Sequence, residues 1–137
     1  MADRAREVWD SVLPAALPEV RPAEAFAPSN IALSKYWGKR DAALNLPMNA
    51  SLSVSLGDWG TTTRAAPAES DVLVFNGEAL PAGDPRARKV WDFVGRFRRG
   101  QAAPLRIETE NSIPTAAGLA SSASGFAALT RALDGAF

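Results

Sequence analysis

The chain has 137 residues, with 15 acidic and 15 basic side chains and neither cysteine nor histidine. Charge neutrality argues against a general affinity for nucleic acid or anionic membranes, and the lack of cysteine excludes disulfides and thiolate metal sites. Without histidine, any catalysis must use lysine, arginine, serine, tyrosine or carboxylates. No apolar run approaches the roughly 18 residues of a membrane-spanning helix, and acidic residues near the N-terminus are unlike a signal peptide. The composition therefore predicts a cytoplasmic protein.

The N-terminal segment has the apolar periodicity of an amphipathic helix over residues 3–17, which Pro18 is expected to end. Four prolines within residues 14–28 predict a short, stiff connector after this helix. We therefore expect an N-terminal helical extension over residues 1–22 and a separate domain over residues 23–137.

The next segments have strand patterns. Residues 50–56 alternate between apolar side chains and serine, which predicts a half-buried strand. Residues 61–66 are expected to be its partner, through a turn that contains Gly57 and Gly60. An Asn-Gly pair after residues 72–75 predicts a hairpin with a type I′ turn.

The second half of the chain predicts two helices around a strand. Asp84 and Pro85 have the N-cap and N1 residue types of a helix that Gly100 would close. A strand at residues 105–110 and a helix from about residue 118 to 134 follow. Because helices and strands do not alternate regularly, the order predicts an α+β fold with a mixed or antiparallel sheet packed by helices.

A loop of small residues at 113–125 follows a predicted strand and opens a predicted helix. Its backbone amides, its serines and the first helical turn together would supply several donors to a polyphosphate. Neither of the common phosphate-binding glycine motifs is present. Close packing of a helix on its neighbour explains the same composition, so both interpretations remain open at this point.

A cluster at residues 35–41 contains three cations, two aromatic residues and a glycine. Lysine is a point charge suited to phosphate, and glycine lets a backbone approach a ligand. If Lys35 is buried it needs an anionic partner, either a ligand or an internal carboxylate. Tyr36 and Trp37 have core packing as their alternative role. The basic residues of helix 85–99 are expected to form a solvated face that also attracts anions.

Two segments resemble the diphosphomevalonate decarboxylases, a family of the GHMP-kinase superfamily. The first is Ala27-Pro-Ser-Asn-Ile-Ala-Leu-Ser-Lys-Tyr-Trp-Gly-Lys-Arg-Asp41, with Leu44-Asn-Leu-Pro47 after it, and the second is residues 110–129. The resemblance implies the N-terminal domain of the GHMP-kinase fold, of the type of the second domain of ribosomal protein S5, in incomplete form. Family members are more than twice as long and place a catalytic aspartate and a further substrate segment outside the region that this chain resembles.

The resemblance implies ATP-dependent decarboxylation of 5-diphosphomevalonate to isopentenyl diphosphate, with Mg²⁺, by a complete protein that is a homodimer. It places Lys35 near the reacting centre and gives Ser122 the task of orienting the ATP phosphates. Substrate contacts are implied at Asn30, Tyr36, Trp37, Gly38, Lys39 and Arg86. The cradle for the nucleotide phosphates is implied at Ala117, Gly118, Leu119, Ala120, Ser121 and Ser122, and no metal-ligating side chain is predicted.

Three alternatives remain from the sequence. A phosphomevalonate decarboxylase or a mevalonate 3-kinase would share both segments, and a non-catalytic phosphate-ligand-binding module would use them without turnover. We also expect these 137 residues to be inactive alone, and their last helix to expose apolar side chains at Leu119, Phe126, Leu129 and Leu133.

Overall fold

The computed structural model describes residues 2–35, 37–113 and 121–137. Within these residues the chain forms three helices and seven strands. In chain order they are α1 (Ala2–Val12), β1 (Ala23–Ser34), β2 (Lys39–Asp41), β3 (Leu46–Pro47), β4 (Leu52–Pro67), β5 (Val72–Phe75), β6 (Glu78–Ala79), α2 (Pro85–Arg98), β7 (Leu105–Asn111) and α3 (Ser121–Ala136). None of the helices in the described part of the chain is long and apolar enough to cross a membrane.

Five of the strands form one mixed sheet in the order β1-β4-β7-β5-β6, and β2 pairs with β3 separately. Strand β4 is antiparallel to both β1 and β7, whereas β5 is parallel to β7. A parallel pair cannot be joined by a tight turn, and α2 lies in the crossover that connects β5 to β7. This arrangement confirms the predicted α+β class with a mixed sheet and helices.

The core lies between one face of the sheet and the helices. Because side chains alternate along a strand, the cross-strand partners Ala65, Ile107 and Leu73 form one buried row. Helices α2 and α3 cover this row, and their buried apolar residues are Ala87, Val94, Phe97, Ala128, Leu129, Ala132, Leu133 and Ala136. The opposite face carries charged partners such as Arg64 and Glu108 and remains exposed to solvent.

A line of aromatic rings joins the three helices. The ring centroids of Trp9 and Phe97 lie 6.0 Å apart, those of Phe97 and Phe93 5.5 Å, and those of Phe93 and Phe126 5.3 Å. These are separations at which aromatic pairs stabilise a core beyond their buried area. Helix α1 therefore packs on the domain through Trp9. Whether residues 1–22 form a separate extension stays a prediction.

The predicted N-terminal boundaries were wrong. Helix α1 ends at Val12 rather than near Pro18. Pro14 explains the earlier end, because a proline disfavours helical backbone in the residue before it. The proline-rich connector is also shorter than expected, since β1 begins at Ala23 and includes Pro28.

The turn expected at Gly57 and Gly60 is a bulge within a single strand. β4 runs from Leu52 to Pro67, and β1 pairs with both of its halves. The register steps from Pro28↔Gly60 to Asn30↔Ser55, so residues 56–59 lie opposite Ser29 alone. Glycine marks a bulge as readily as a turn, and only the position of β1 decides between the two.

The local signals for the hairpin and for α2 were correct. Asn76 and Gly77 both have positive φ angles, 49° and 83°, as a type I′ turn requires. Asp84 caps α2 by accepting a hydrogen bond from the backbone N–H of Arg86, and Pro85 follows as the first helical residue. The C-cap is Arg99 in left-handed conformation, immediately before Gly100.

The expected exposure of the last helix was wrong for Leu129 and Leu133, which are buried, whereas Phe126 is half-buried and Leu119 lies outside the described residues. Several exposed apolar side chains lie instead on the part of the β1–β4 pair that extends beyond the bulge. Leu52 and Val54 are 62% and 51% exposed there, and Ile31, the cross-strand partner of Val54, is 44% exposed. The strand predicted at residues 50–56 therefore exists, but its apolar side is not buried.

Gly60 is a position at which we expect no other residue to be tolerated. A Cβ atom there would lie 2.1 Å from the carbonyl oxygen of Ala27, which is fixed in the paired strand. We expect Gly60→Ala to lower the free energy of unfolding by about 3 kcal/mol, the upper range for overpacking. Urea denaturation measures the change.

Gly95 provides the matched control for this substitution. It lies in α2 and a Cβ atom there would meet nothing within 4 Å. Gly95→Ala should stabilise the chain by about 0.5–1 kcal/mol through helix propensity. An unfolding free energy of Gly60→Ala equal to that of the unmodified chain would contradict the close contact.

Candidate functional site

A cleft of about 300 Å³ lies between α2, α3 and the covered face of the sheet. Its size is at the lower end of the range for small-molecule sites. Its lining residues are Thr63, Leu73, Phe75, Leu80, Arg86, Lys89, Val90, Ile107, Thr109, Asn111, Ser122, Gly125, Phe126 and Leu129. The wall is thus mainly apolar, with two cations from the first turns of α2 and one serine from the first turn of α3.

Arg86 is held in a fixed orientation at the mouth of the cleft. Its Nε donates to Asp84 Oδ1 at 3.1 Å and its Nη2 to Asp84 Oδ2 at 2.8 Å. The guanidinium also lies over the ring of Phe75, 5.5 Å from the centroid. These hydrogen bonds from Arg86 lower the pKa of Asp84 to about 2. Asp84 therefore both caps α2 and orients the arginine.

Helix α3 begins at Ser121, and Ser122 lines the cleft. The N–H groups of a first helical turn have no partners within the helix, and the helix dipole makes this end favourable for anions. Of the predicted phosphate cradle, Ser121 and Ser122 fall among the described residues. Ala117, Gly118, Leu119 and Ala120 lie outside them.

The lysine segment lies on a different part of the molecule, around β2 and β3. Trp37 is 85% exposed, so it is not a core residue, and Tyr36 lies outside the described residues. The backbone N–H of Trp37 donates to Asn49 Oδ1 at 3.1 Å. Gly38 has a φ angle of 78°, and its carbonyl accepts a hydrogen bond from the N–H of Met48. These bonds give the turn a defined backbone conformation.

Lys35 and Lys39 are both exposed. The internal carboxylate considered as a partner for Lys35 is not found, because neither lysine forms an ion pair within residues 2–35, 37–113 and 121–137. Both ammonium groups are therefore accessible to an anionic ligand. The fold brings Arg86 and Ser122 to one cleft and places Lys35 and Lys39 outside that cleft's lining.

Asn30 lies in β1 just beyond the bulge, and its Nδ2 donates to Ser53 Oγ at 3.0 Å. Its neighbour Ser29 is 1% exposed and contacts α3 through a hydrogen bond to Ser124. Asn30 is therefore adjacent in sequence to the point at which β1 meets the helix that carries Ser122.

Ser29 and Thr61 were not predicted from the sequence, and Ser124, expected among the serines that donate to a polyphosphate, is instead buried against them. Ser29, Thr61 and Ser124 are each 2% exposed or less and are linked by hydrogen bonds. Thr61 belongs to a run of threonines in β4 whose alternate members face the core. Buried hydroxyl groups need partners, so this alternation is the signal that could have indicated them.

Within the described part of the chain, no cluster of three or more histidine, cysteine, aspartate or glutamate side chains could hold a metal ion. The prediction that the chain supplies no metal-ligating side chain stays a prediction.

The mixed sheet covered on one face by α2 and α3, with a cleft at the start of α3, is the N-terminal domain of the GHMP-kinase fold. The family model that describes the diphosphomevalonate decarboxylase-like N-terminal domain matches residues 27–137. The chain belongs to this family.

Three relatives show the extent of the similarity. The diphosphomevalonate decarboxylase of Gibberella zeae is 46% identical over 125 residues, which cover 78% of this chain and 32% of the relative. The crystal structure of mevalonate diphosphate decarboxylase from Staphylococcus aureus has a TM-score of 0.71 and 41% identity, and covers 85% of this chain and 36% of that one. MDDEF in complex with MVAPP, AMPPCP and magnesium has a TM-score of 0.64 and 36% identity, and covers 85% of this chain and 37% of that one. The chain thus spans about a third of the length of the relatives it matches.

The Asp84–Arg86 pair predicts a defined pH dependence. Because the pKa of Asp84 is lowered to about 2 in the folded chain from an ordinary value of 3.8, its contribution to stability is complete above about pH 4. That contribution is lost as the pH falls through about 2. Urea midpoints between about pH 5 and 2 should therefore fall more steeply for the unmodified chain than for Asp84→Asn.

Two substitutions at Asp84 separate the effect of its charge from the effect of its N-cap hydrogen bond. At neutral pH, Asp84→Ala should lower the urea midpoint by about 0.5 M, because it removes the N-cap acceptor. Asp84→Asn retains that acceptor and should cost less. Parallel pH profiles for the unmodified chain and Asp84→Asn would show that the ion pair does not form.

Proposed function

We propose that the complete protein catalyses the ATP-dependent decarboxylation of 5-diphosphomevalonate to isopentenyl diphosphate, and that this chain supplies its nucleotide cleft and part of its substrate site. The observation that carries the proposal is the position of Ser122. It lies in the first turn of α3 on the same cleft as Arg86 and Lys89.

The chemistry of the cleft fits a nucleoside polyphosphate. Leu73, Phe75 and Val90 form an apolar wall suited to a planar base. Lys89 supplies positive charge, and the first turn of α3 supplies N–H donors and a hydroxyl group. Mg²⁺ bound to the phosphates fits this set, because magnesium commonly keeps its waters and binds through phosphate oxygens.

In the proposed reaction, ATP supplies the phosphoryl group that converts the tertiary hydroxyl group of the substrate into a leaving group before CO₂ is lost. The chain's own residues bind and orient the reactants. Ser122 would hold a phosphate oxygen, and Lys35, accessible on its exposed segment, would neutralise charge at the reacting centre. Tyr36, Trp37, Gly38 and Lys39 would contact the substrate's diphosphate, with Asn30 on the adjoining strand.

A general base for the hydroxyl group is expected from a further part of the protein. Near the two family segments, Asp41 accepts a hydrogen bond from the N–H of Leu44 and Glu108 pairs with Arg106. Both carboxylates thus have structural partners. Acid–base catalysis contributes about 10²–10⁴-fold to such reactions. The isolated 137 residues should therefore bind ligand weakly and not turn over.

The remaining expectations concern the whole protein. We infer a cytoplasmic location, a homodimeric complete enzyme and small-molecule ligands rather than nucleic acid or membrane. The balanced charge of the chain supports the last point. Light scattering on the complete protein would test the dimer.

Joining residues 1–137 to the C-terminal two thirds of the Staphylococcus aureus relative tests the function. We expect this chimera to release CO₂ with ATP and 5-diphosphomevalonate, whereas residues 1–137 alone release none. Ser122→Ala in the chimera should lower kcat/KM about 10- to 100-fold, the cost of one charge-assisted hydrogen bond.

Assays with 5-phosphomevalonate and with mevalonate distinguish the proposed function from the alternative functions. Preference of the chimera for 5-phosphomevalonate, or phosphorylation of mevalonate without CO₂ release, would assign the chain to a related enzyme. A folded chimera that binds MgATP but acts on none of the three substrates would contradict the proposal and favour a non-catalytic binding module.

Lys39 and Arg86 provide a test of where each ligand binds. If both contact the substrate's diphosphate, Lys39→Ala and Arg86→Ala should each weaken binding of 5-diphosphomevalonate by about tenfold or more, and binding of MgATP much less. Arg86→Lys should also be harmful, because lysine cannot make bidentate contacts. Calorimetric titration of each ligand separately gives the two affinities.

A reversed selectivity would correct this assignment for Arg86. Because Arg86 lines the same cleft as Ser122, loss of MgATP affinity alone would place it with the nucleotide. Equal loss for both ligands would mean that Arg86 has no selective contact.

A further inference from the structure

Beneath the first turn of α3 lies a continuous chain of buried hydrogen bonds. Ser29 Oγ lies 3.1 Å from Ser124 Oγ, and Ser124 Oγ lies 2.8 Å from Thr61 Oγ1. Thr61 Oγ1 in turn lies 2.7 Å from Asn111 Oδ1. Ser29, Ser124 and Thr61 are 1%, 2% and 1% exposed. The chain crosses four elements in turn: β1, α3, β4 and β7.

Donors can be assigned at both ends of this hydrogen-bonded chain. Ser29 donates its proton to Ser124, and Thr61 donates its proton to the carbonyl oxygen of Asn111. A further hydrogen bond joins Ser124 and Thr61. The last acceptor, Asn111, also lines the cleft.

Two members of this hydrogen-bonded chain are adjacent in sequence or in the same helical turn to proposed ligand-binding residues. Ser29 immediately precedes Asn30 on β1, and Ser124 lies in the same helical turn as Ser122. We propose that Ser29, Thr61 and Ser124 are positioning residues that hold the first turn of α3 in a fixed register against β1. This inference rests on the proposed function, because it connects Ser122, the proposed nucleotide-binding residue, with Asn30, a proposed substrate-binding residue.

Packing alone would not provide this register. Alanine at positions 29 and 124 and valine at position 61 would fill nearly the same space without the cost of burying hydroxyl groups. An apolar contact of small side chains permits small rotations and shifts of the helix. A chain of hydrogen bonds holds fixed distances and directions, and therefore specifies one arrangement.

The first test measures the position of α3 in residues 1–137 without any ligand. Amide hydrogen exchange at Phe126, whose N–H bonds to the carbonyl of Ser122 in the helical pattern, should be about tenfold faster in Ser124→Ala than in the unmodified chain when it is followed by NMR, as expected for loss of one buried hydrogen bond. The control is Leu105→Val, a buried substitution in β7 outside the cleft lining. Rates are compared under conditions where the control and Ser124→Ala have equal global stability.

The second test uses the chimera and a pair of substitutions at one position. Thr61→Val removes the hydroxyl group and keeps the shape, whereas Thr61→Ser keeps the hydroxyl group. We expect Thr61→Val to lower kcat about tenfold with little change in the KM for ATP, and Thr61→Ser and Leu105→Val to retain kcat. In a Ser124→Ala background, Ser29→Ala and Thr61→Val should have little further effect, because the chain is already broken.

The outcomes distinguish this inference from the proposed function. If the unmodified chimera is inactive, the function fails and the exchange measurement alone decides the positioning role. Equal exchange rates at Phe126 in Ser124→Ala and Leu105→Val would overturn the inference. So would equal losses of kcat in Thr61→Val and Thr61→Ser, or strictly additive effects in the double variants.

Discussion

The close approach of β4 to β1 at Gly60 is the contact on which the remaining structure depends. The backbone at Gly60 lies so near Ala27 that no side chain fits between them. Ser112 secures the same point, since its Oγ accepts from the N–H of Gly60 and its N–H donates to the carbonyl of Gly60. On one side of this contact β1 and β4 form the floor beneath α3, and on the other they extend as a two-stranded arm toward the lysine segment.

The elements that the sequence predicted correctly depend on local chemistry. The Asn76-Gly77 turn needs two residues that accept positive φ, and α2 needs a capping carboxylate followed by proline. Neither depends on a distant partner. The bulge at residues 56–59 does, because its glycines are equally compatible with a chain reversal. Whether these glycines form a turn or a bulge depends on pairing with β1, which lies more than twenty residues earlier in the sequence.

The candidate site also combines local and long-range features. Lys35 and Ser122 could be proposed from the two family segments because each lies within a continuous stretch of matching residues, and their roles stay predictions. The hydroxyl chain could not, since Ser29 and Ser124 are 95 positions apart and Thr61 and Ser124 are 63 apart. Serine and threonine are common on surfaces, so only the register of β1 on β4 and the seating of α3 show that these three are buried together.

The charges around the cleft contribute more to orienting a ligand than to attracting it. Asp84 occupies two of the N–H groups of Arg86 and offsets its charge, so the pair as a whole is nearly neutral toward an approaching anion. The net attraction at this edge then comes from Lys89 and from the first turn of α3. A ligand gains less from an already paired Arg86 than from a free one, but meets a guanidinium that needs no ordering when it binds. The same logic governs the hydroxyl chain under α3, where polar groups are buried at some cost in stability and fix one geometry. The Asp84–Arg86 pair and the hydroxyl chain both suit a site in which the relative placement of two reactants matters more than the strength of either contact.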